Sequence, residues 1–306
     1  MAARPGHYRG NYRARIPGRG CERRRGLAQA LAAGGRAPLR SEGRLRGVRT
    51  GGGAVTALLE AHGITRKFGA FTAVNNVSLA IEAGPLTAII GPNGAGKTTL
   101  INVLTGHLMP TSGKVIFDGH DITRWPPDRR VRAGLNRSFQ ITNIFPQLTV
   151  AENVAVPVLV RRGYPAVWFR DYRNLPEVRE EVYRLLAEVG LADLHDTRAS
   201  ALSHGDRRIL DLTLALATRP RLCFLDEPTA GMNAGERLKL LDFIKRLRAA
   251  EHITFVLVEH DMDVVFSVAD RVIVLDKGQI LADGDPEAIR GNRLVQEVYL
   301  GEEVGA

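Results

Sequence analysis

Cysteine is nearly absent, with Cys21 and Cys223 the only two in 306 residues. Two thiols cannot build the disulfide framework of a small secreted scaffold. Cys223 stands in the apolar run Leu222-Cys223-Phe224-Leu225, where a buried free thiol is the expectation. Long apolar runs are missing too. No uninterrupted stretch reaches the roughly 18–20 residues that span a bilayer as a helix. The N-terminal segment also lacks the apolar centre of a signal peptide. The expectation is a cytosolic-type chain that reaches any membrane through a partner. Lysine is absent from residues 1–50, which hold thirteen Arg and two Glu, a charge of +11. The whole chain carries +9, so residues 51–306 sum to −2. The basic character that would suggest a nucleic-acid partner therefore belongs to a leader and not to the body.

That leader, residues 1–54, is a low-complexity run of Arg, Gly, Ala and Pro closing on Thr50-Gly51-Gly52-Gly53-Ala54. Gly18, Gly20 and Gly26 interrupt any helix before Leu27–Ala33, which is too short to stand alone. It reads as disordered and incidental to the working protein. An organellar targeting peptide and a tail for nucleic acid or an anionic membrane are the other readings. The remaining residues, 55–306, form the body of a chain whose 44% hydrophobic and 25% charged balance is that of a globular protein.

The body punctuates well. Ala57–Ile64 leads to Thr65-Arg66-Lys67-Phe68-Gly69, and Ala73–Ile81 alternates apolar and polar residues as a half-buried strand does. After a turn at Glu82-Ala83-Gly84-Pro85, Leu86-Thr87-Ala88-Ile89-Ile90 reads as a central strand of a sheet covered on both faces. Gly91-Pro92-Asn93-Gly94-Ala95-Gly96-Lys97-Thr98-Thr99 comes directly after it, and then the apolar-periodic Leu100–Leu104. This is G-x-x-x-x-G-K-T in the strand–loop–helix setting it requires. Glycines let backbone N–H groups converge on phosphates, and the helix turns its positive end toward them. Lys97 is expected to reach the β- and γ-phosphates of ATP, and Thr98 to ligate Mg²⁺.

Downstream, Arg221-Leu222-Cys223-Phe224-Leu225 runs apolar into Asp226-Glu227-Pro228. Such a strand sets Asp226 at the carboxyl edge of the sheet, where open α/β sheets bind ligands. Asp226 is the expected Mg²⁺ partner and Glu227 the general base for the attacking water.

With both constellations in this order, residues 58–301 resemble an ABC transporter ATP-binding subunit. Further motifs carry the resemblance: Gln140 in Asn136-Arg137-Ser138-Phe139-Gln140, the signature-like Leu202-Ser203-His204-Gly205-Asp206, Ala230-Gly231-Met232-Asn233, and His260 after Phe255–Val258. The resemblance implies an α/β P-loop fold with a mixed sheet core, an antiparallel β subdomain and a helical subdomain at about 141–215. It also implies that Gln140 contacts metal and attacking water, and that His260 senses phosphate. Ser203 and Gly205 would hold the γ-phosphate of ATP on the opposite protomer, and Phe68 would stack on adenine. The signature departs from the family pattern at His204 and Asp206. A carboxylate near the triphosphate repels it unless it faces away or pairs with a cation such as Arg207 or Arg208.

Arg137–Val154, the 63-residue spacing from Gln140 to Ser203, and the ending Ala282–Gly301 further resemble the longer ATP-binding subunit of branched-chain amino acid importers. The implied function is ATP hydrolysis driving solute import. The implied partners are transmembrane permease subunits, a second ATP-binding subunit and, indirectly, a solute-binding protein, with the chain peripheral at the cytoplasmic face of the inner membrane. Phe145, Leu148 and Val150 are candidates for the permease contact, with ordinary helical core as the alternative for each. Trp168, Phe169 and Tyr172 are equally open between an inner and an outer role. A urea or amide importer and a lipid or lipopolysaccharide exporter are the other readings within the family. A soluble nucleic-acid-associated ATPase is the reading outside transport, and no nucleic-acid partner is expected.

Overall fold

Two kinds of apolar pattern build two sheets. The computed structural model describes residues 57–138, 144–164, 171–251 and 253–303, all within the unit Ala54–Ala306. The leader, Gln140, Trp168 and Phe169 lie outside the described residues. Alternating strands β1 (Ala57–Phe68) and β2 (Phe71–Glu82) pair antiparallel, and β4 (Ser112–Phe117) and β5 (His120–Asp121) extend them into a four-stranded sheet of order β2-β1-β4-β5. Leu59, Ile64, Val77 and Ile81 bury one face of it, while Glu60, Lys67 and Glu82 stay off the core.

The apolar runs make the second sheet. β3 (Thr87–Ile90), β6 (Leu135–Ser138), β7 (Leu222–Asp226), β8 (Thr254–Val258), β9 (Arg271–Asp276) and β10 (Gln279–Gly284) lie in the order β10-β9-β3-β8-β7-β6. All neighbours are parallel except β10 on β9. Every residue of β3, β7 and β8 is buried, because alternate side chains enter two different cores. Ile89, Phe224, Val256 and Val258 face the antiparallel sheet and α1 (Lys97–Leu104). Ala88, Ile90, Cys223, Leu225, Phe255 and Leu257 face α5 (His204–Ala217), α6 (Ala234–Glu251) and α7 (Met262–Val268). Each Ile or Phe so covered contributes about 1.5–3 kcal/mol. The mixed sheet core, the antiparallel sheet and the helices match the expected fold class. Cys223 is a buried free thiol, as its apolar run implies, and burial pushes it up to about 12, which leaves it unreactive.

Short α2 (Pro127–Arg132) sits between β5 and β6, and α8 (Pro286–Arg290) and α9 (Arg293–Glu303) close the described chain. A third core joins α3 (Val150–Arg161), α4 (Pro176–Glu188) and the outer face of α5. Thr149 and Glu152 form a capping box that starts α3, and buried Asn153 ties the preceding turn to it through Phe145, Leu148 and Thr149. Glu181 of α4 is held by Arg161, Arg162 and Arg219, which lies just past α5. Burial alone would raise its carboxyl, but the three guanidiniums prevail and hold it below the usual range. The candidate permease contacts separate here. Phe145 is exposed and Leu148 half-buried, but Val150 is fully buried in the α3–α4 core, which removes it from any docking surface. Tyr172 is also core.

Candidate nucleotide site

The loop Gly91–Gly96 leaves the carboxyl end of β3 and turns into α1. Two of its glycines are required by close approach. A Cβ on Gly91 (φ +150°) would lie 2.2 Å from the Leu275 carbonyl oxygen, and one on Gly96 (φ +99°) would lie 2.5 Å from that of Ala73. The turn between β9 and β10 braces the loop from behind, since Gly278 N–H donates to Ala95 O at 2.9 Å. Gly96 caps α1 with no side-chain acceptor on the helix's first N–H groups, so those donors face the loop's concavity. Lys97 spans the loop, its ammonium donating to the carbonyls of Gly91 (2.5 Å) and Pro92 (3.0 Å). At the end of β1, Phe68 is 45% exposed, and the Arg66 guanidinium lies over its ring at 4.6 Å from the centroid. One ring face is thus supported by a cation.

The parallel strands end at the same edge as β3, so the residues just past them arrive there. Asp226 closes β7, nearly fully buried, and pairs with Arg137 of β6 at 2.5 Å. Glu227 comes next with φ +45°, a left-handed conformation that costs a non-glycine residue of order 1 kcal/mol or more. Backbone bonds fix it there: its N–H donates to Val258 O and its own carbonyl accepts from Ala230 N–H. His260, two residues past β8, brings Nδ1 to 3.9 Å from Glu227 Oε1. Between β8 and His260, buried Glu259 accepts from both N–H (3.1 Å) and Oγ1 (2.6 Å) of Thr229, joining the loops after β7 and β8.

Glu259 Oε2 is buried with no hydrogen-bond partner among the described residues, and burial raises its carboxyl above the usual range. A group raised in the folded state favours folding below its unfolded pKa, and that contribution is lost as pH rises through the folded one. Glu259→Gln keeps an acceptor for Thr229 and removes the titration. It is expected to raise the melting temperature at pH 7 by about 2–4 °C, roughly 1 kcal/mol in a domain of this size. The gain shrinks toward zero below the ordinary carboxylate range, and melting curves at several pH values measure it.

The signature-like segment folds as the start of α5. Ser203 is its N-cap, accepting from Asp206 N–H at 3.1 Å, and its hydroxyl donates to Asp206 Oδ2 at 2.7 Å. Asp206 therefore pairs with the serine itself, an arrangement beyond the two alternatives of facing away or pairing with a cation such as Arg207 or Arg208. His204 packs on Gly231, where a Cβ would come within 2.9 Å of its Nε2, and Gly205 abuts Glu236 of α6. Among the described residues, no hydrogen bond or ion pair joins Ser203 to Lys97, Asp226, Glu227 or His260.

The family described as "ABC transporter" matches residues 74–230, just over half of the chain. The chain belongs to the ABC transporter ATP-binding family. A second profile, "Branched-chain amino acid ATP-binding cassette transporter", matches residues 279–305 of the ATPase. The branched-chain amino acid transport ATP-binding protein BraF of Pseudomonas aeruginosa is 39% identical over 250 residues, 80% of this chain and 98% of that protein. LivG of Escherichia coli is 37% identical over 250 residues with the same coverage. Among solved structures, the ADP conformation of MJ1267, an ATP-binding cassette of an ABC transporter, superposes with TM-score 0.72 at 32% identity, covering 80% of this chain and 99% of that one. The chain is accordingly an ATPase whose sequence resembles branched-chain amino acid transport ATP-binding proteins and whose fold resembles an ATP-binding cassette of an ABC transporter.

Arg137, Glu259 and Asn102 in the ATPase's site region, and Arg130 at the far end of α1, do not stand out as functional in the sequence. Glu259 carries a signal, a charge directly after the run Thr254–Val258, whereas Arg137 carries none, its neighbours Asn136 and Ser138 being polar as well. Asn102 and Arg130 carry none, being polar residues of helices whose buried side is set by tertiary packing.

Proposed function

We propose that this ATPase powers import of branched-chain or related hydrophobic amino acids, as a dimer bound to a permease at the cytoplasmic face of the cell membrane. Support for the substrate class comes from one observation, the match of residues 279–305 to the branched-chain transporter family. Support for a peripheral subunit is that no helix among the described residues is long and apolar enough to cross a membrane.

In this reading the Gly91–Thr99 cradle and the N-terminus of α1 receive the ATP phosphates, and Lys97 moves from loop carbonyls to β- and γ-oxygens. Phe68, supported by Arg66, stacks on adenine. The Thr98 hydroxyl and Asp226 carboxylate are hard oxygen donors of the kind Mg²⁺ takes, and Gln140 is assigned to the same ion from sequence. Mg²⁺ held there would neutralise charge on the phosphates during transfer. Glu227 takes the proton of the attacking water, and His260, close to Glu227, contacts the γ-phosphate. Ser203 and Gly205 have no place in this cluster within one protomer, which suits a signature that serves the second protomer's nucleotide. Two chains then complete two sites.

The test is reconstitution with the cognate permease and solute-binding protein, with phosphate release as the readout. Leucine, isoleucine or valine on the binding protein should stimulate turnover several-fold. Stimulation by urea, amides or lipid instead would overturn the substrate class while leaving the ATPase intact.

A further inference from the structure

All four residues of β6 are buried, yet three of them, Asn136, Arg137 and Ser138, are polar. A buried guanidinium persists only where partners take its charge and its donors. Among the described residues, Arg137 meets such partners on two different elements. Nη2 donates to Asp226 Oδ2 at 2.5 Å, with 7% and 4% of the two side chains exposed. Nη1 donates to Asn102 Oδ1, also at 2.5 Å, and Asn102 lies one helical turn past Thr98 on α1. The planar fork thus spans from the end of β7 to the helix that begins at the phosphate loop, a geometry a lysine cannot reproduce. Its own backbone is pinned as well. Arg137 N–H donates to Asn136 Oδ1 at 2.7 Å, while Asn136 Nδ2 donates to Ala215 O and Thr218 Oγ1 at the end of α5.

We propose that Arg137 is the positioning residue for Asp226: it fixes Oδ2 relative to α1 and leaves Oδ1 directed to the cation beside Thr98. The proposal rests on the reading of Thr98 and Asp226 as the metal side of the site. Arg137 touches neither ATP nor the reacting atoms in this scheme. Its effect passes through one carboxylate, which makes the effect conditional on that carboxylate.

The experiment uses the full chain carrying Glu227→Gln, loaded with ATP, and measures Mn²⁺ affinity by electron paramagnetic resonance. Asp226→Asn tests the underlying reading: unchanged Mn²⁺ binding in D226N would overturn the metal assignment itself. With that established, Arg137→Met is expected to weaken Mn²⁺ binding by about 10-fold, the lower end for loss of a residue orienting a metal ligand. ATP affinity without metal should stay within about 2-fold. In the D226N background the same change should alter Mn²⁺ affinity by less than about 2-fold, because the two substitutions break one interaction. An R137M protein with parental Mn²⁺ affinity overturns the proposal. So does a 10-fold loss that persists in D226N, since Arg137 would then act independently of Asp226. If R137M does not fold, Arg137→Lys decides. It keeps the charge but loses the two-acceptor fork, and unchanged Mn²⁺ affinity in R137K overturns the proposal equally.

Discussion

Glu227→Gln is expected to lower steady-state ATP turnover by about 10²–10⁴-fold, the range for loss of a general base. ATP binding should stay within about 2-fold of the unaltered chain. The separation comes from geometry. Among the described residues no hydrogen bond or ion pair joins the Glu227 side chain to the phosphate loop, whereas its backbone is held at φ +45° by Val258 O and Ala230 N–H. Gln keeps that conformation and nearly the same shape but cannot accept the proton of water. The left-handed backbone puts strain at the residue proposed to act on water, a place where strain persists because surrounding bonds impose it. Glu227→Gly offers a second check. It relieves the strain, so thermal stability should not fall, while turnover should fall as far as in the Gln variant. Phosphate release and fluorescent-nucleotide binding, measured on one preparation, decide the matter. Turnover at the normal rate in E227Q would remove Glu227 as the base.

Legibility in the sequence divides along a physical line. The phosphate loop, the strand before it and the β7 carboxylates are legible because local rules govern them. Glycines are needed where backbones nearly touch, as Gly91 does Leu275, and fully apolar runs mark strands covered on both faces. Val150 is not legible. It shares the apolar character of Phe145 and Leu148, and only the capping box at Thr149 sets where α3 begins and hence which of the three turns inward. The pairing of Asp206 is hidden for a similar reason. Arg207 and Arg208 stand next to it in sequence, yet at a helix start the N-cap serine three residues back is the nearer partner. The carboxylate is thereby satisfied within the chain, and in the proposed function the Ser203 hydroxyl would have to leave it before donating to a phosphate. On that proposal, Asp206 bears on how readily the signature engages ATP and much less on whether the chain folds.

Arg130→Ala is expected to destabilise the domain by about 3–4 kcal/mol, the sum of a vacated buried site and carbonyls left without donors. Arg129, Arg130 and Arg132 look alike in sequence, yet Arg130 alone of the three is wholly buried. Its guanidinium donates to Val103 O (2.9 Å) and Leu104 O (2.6 Å) at the end of α1, and to Trp125 O and Thr123 O beyond it. The last turn of α1 has four carbonyls to satisfy. Thr105 covers Ile101, Leu108 N–H covers Asn102, and Gly106 N–H shares Val103 with Arg130. Leu104 O has Arg130 as its donor. Burial lowers the guanidinium's pKa to about 10, so it remains charged at neutral pH against the negative end of the helix. This placement has a reason in the chemistry at the other end. In the proposed function the first turn of α1 keeps its N–H groups for phosphate, with no side-chain cap on it, and the helix is anchored from its C-terminus instead. R130A should lower the melting temperature by roughly 6–16 °C in a domain of this size. Arg130→Met restores volume without donors and should recover less than half of that loss. ATP affinity measured well below the transition should change little, because Arg130 lies a full helix length from the phosphate loop. A melting temperature within about 2 °C of the unaltered chain, less than the shift of a single kcal/mol, would show that α1 holds its position without this anchor.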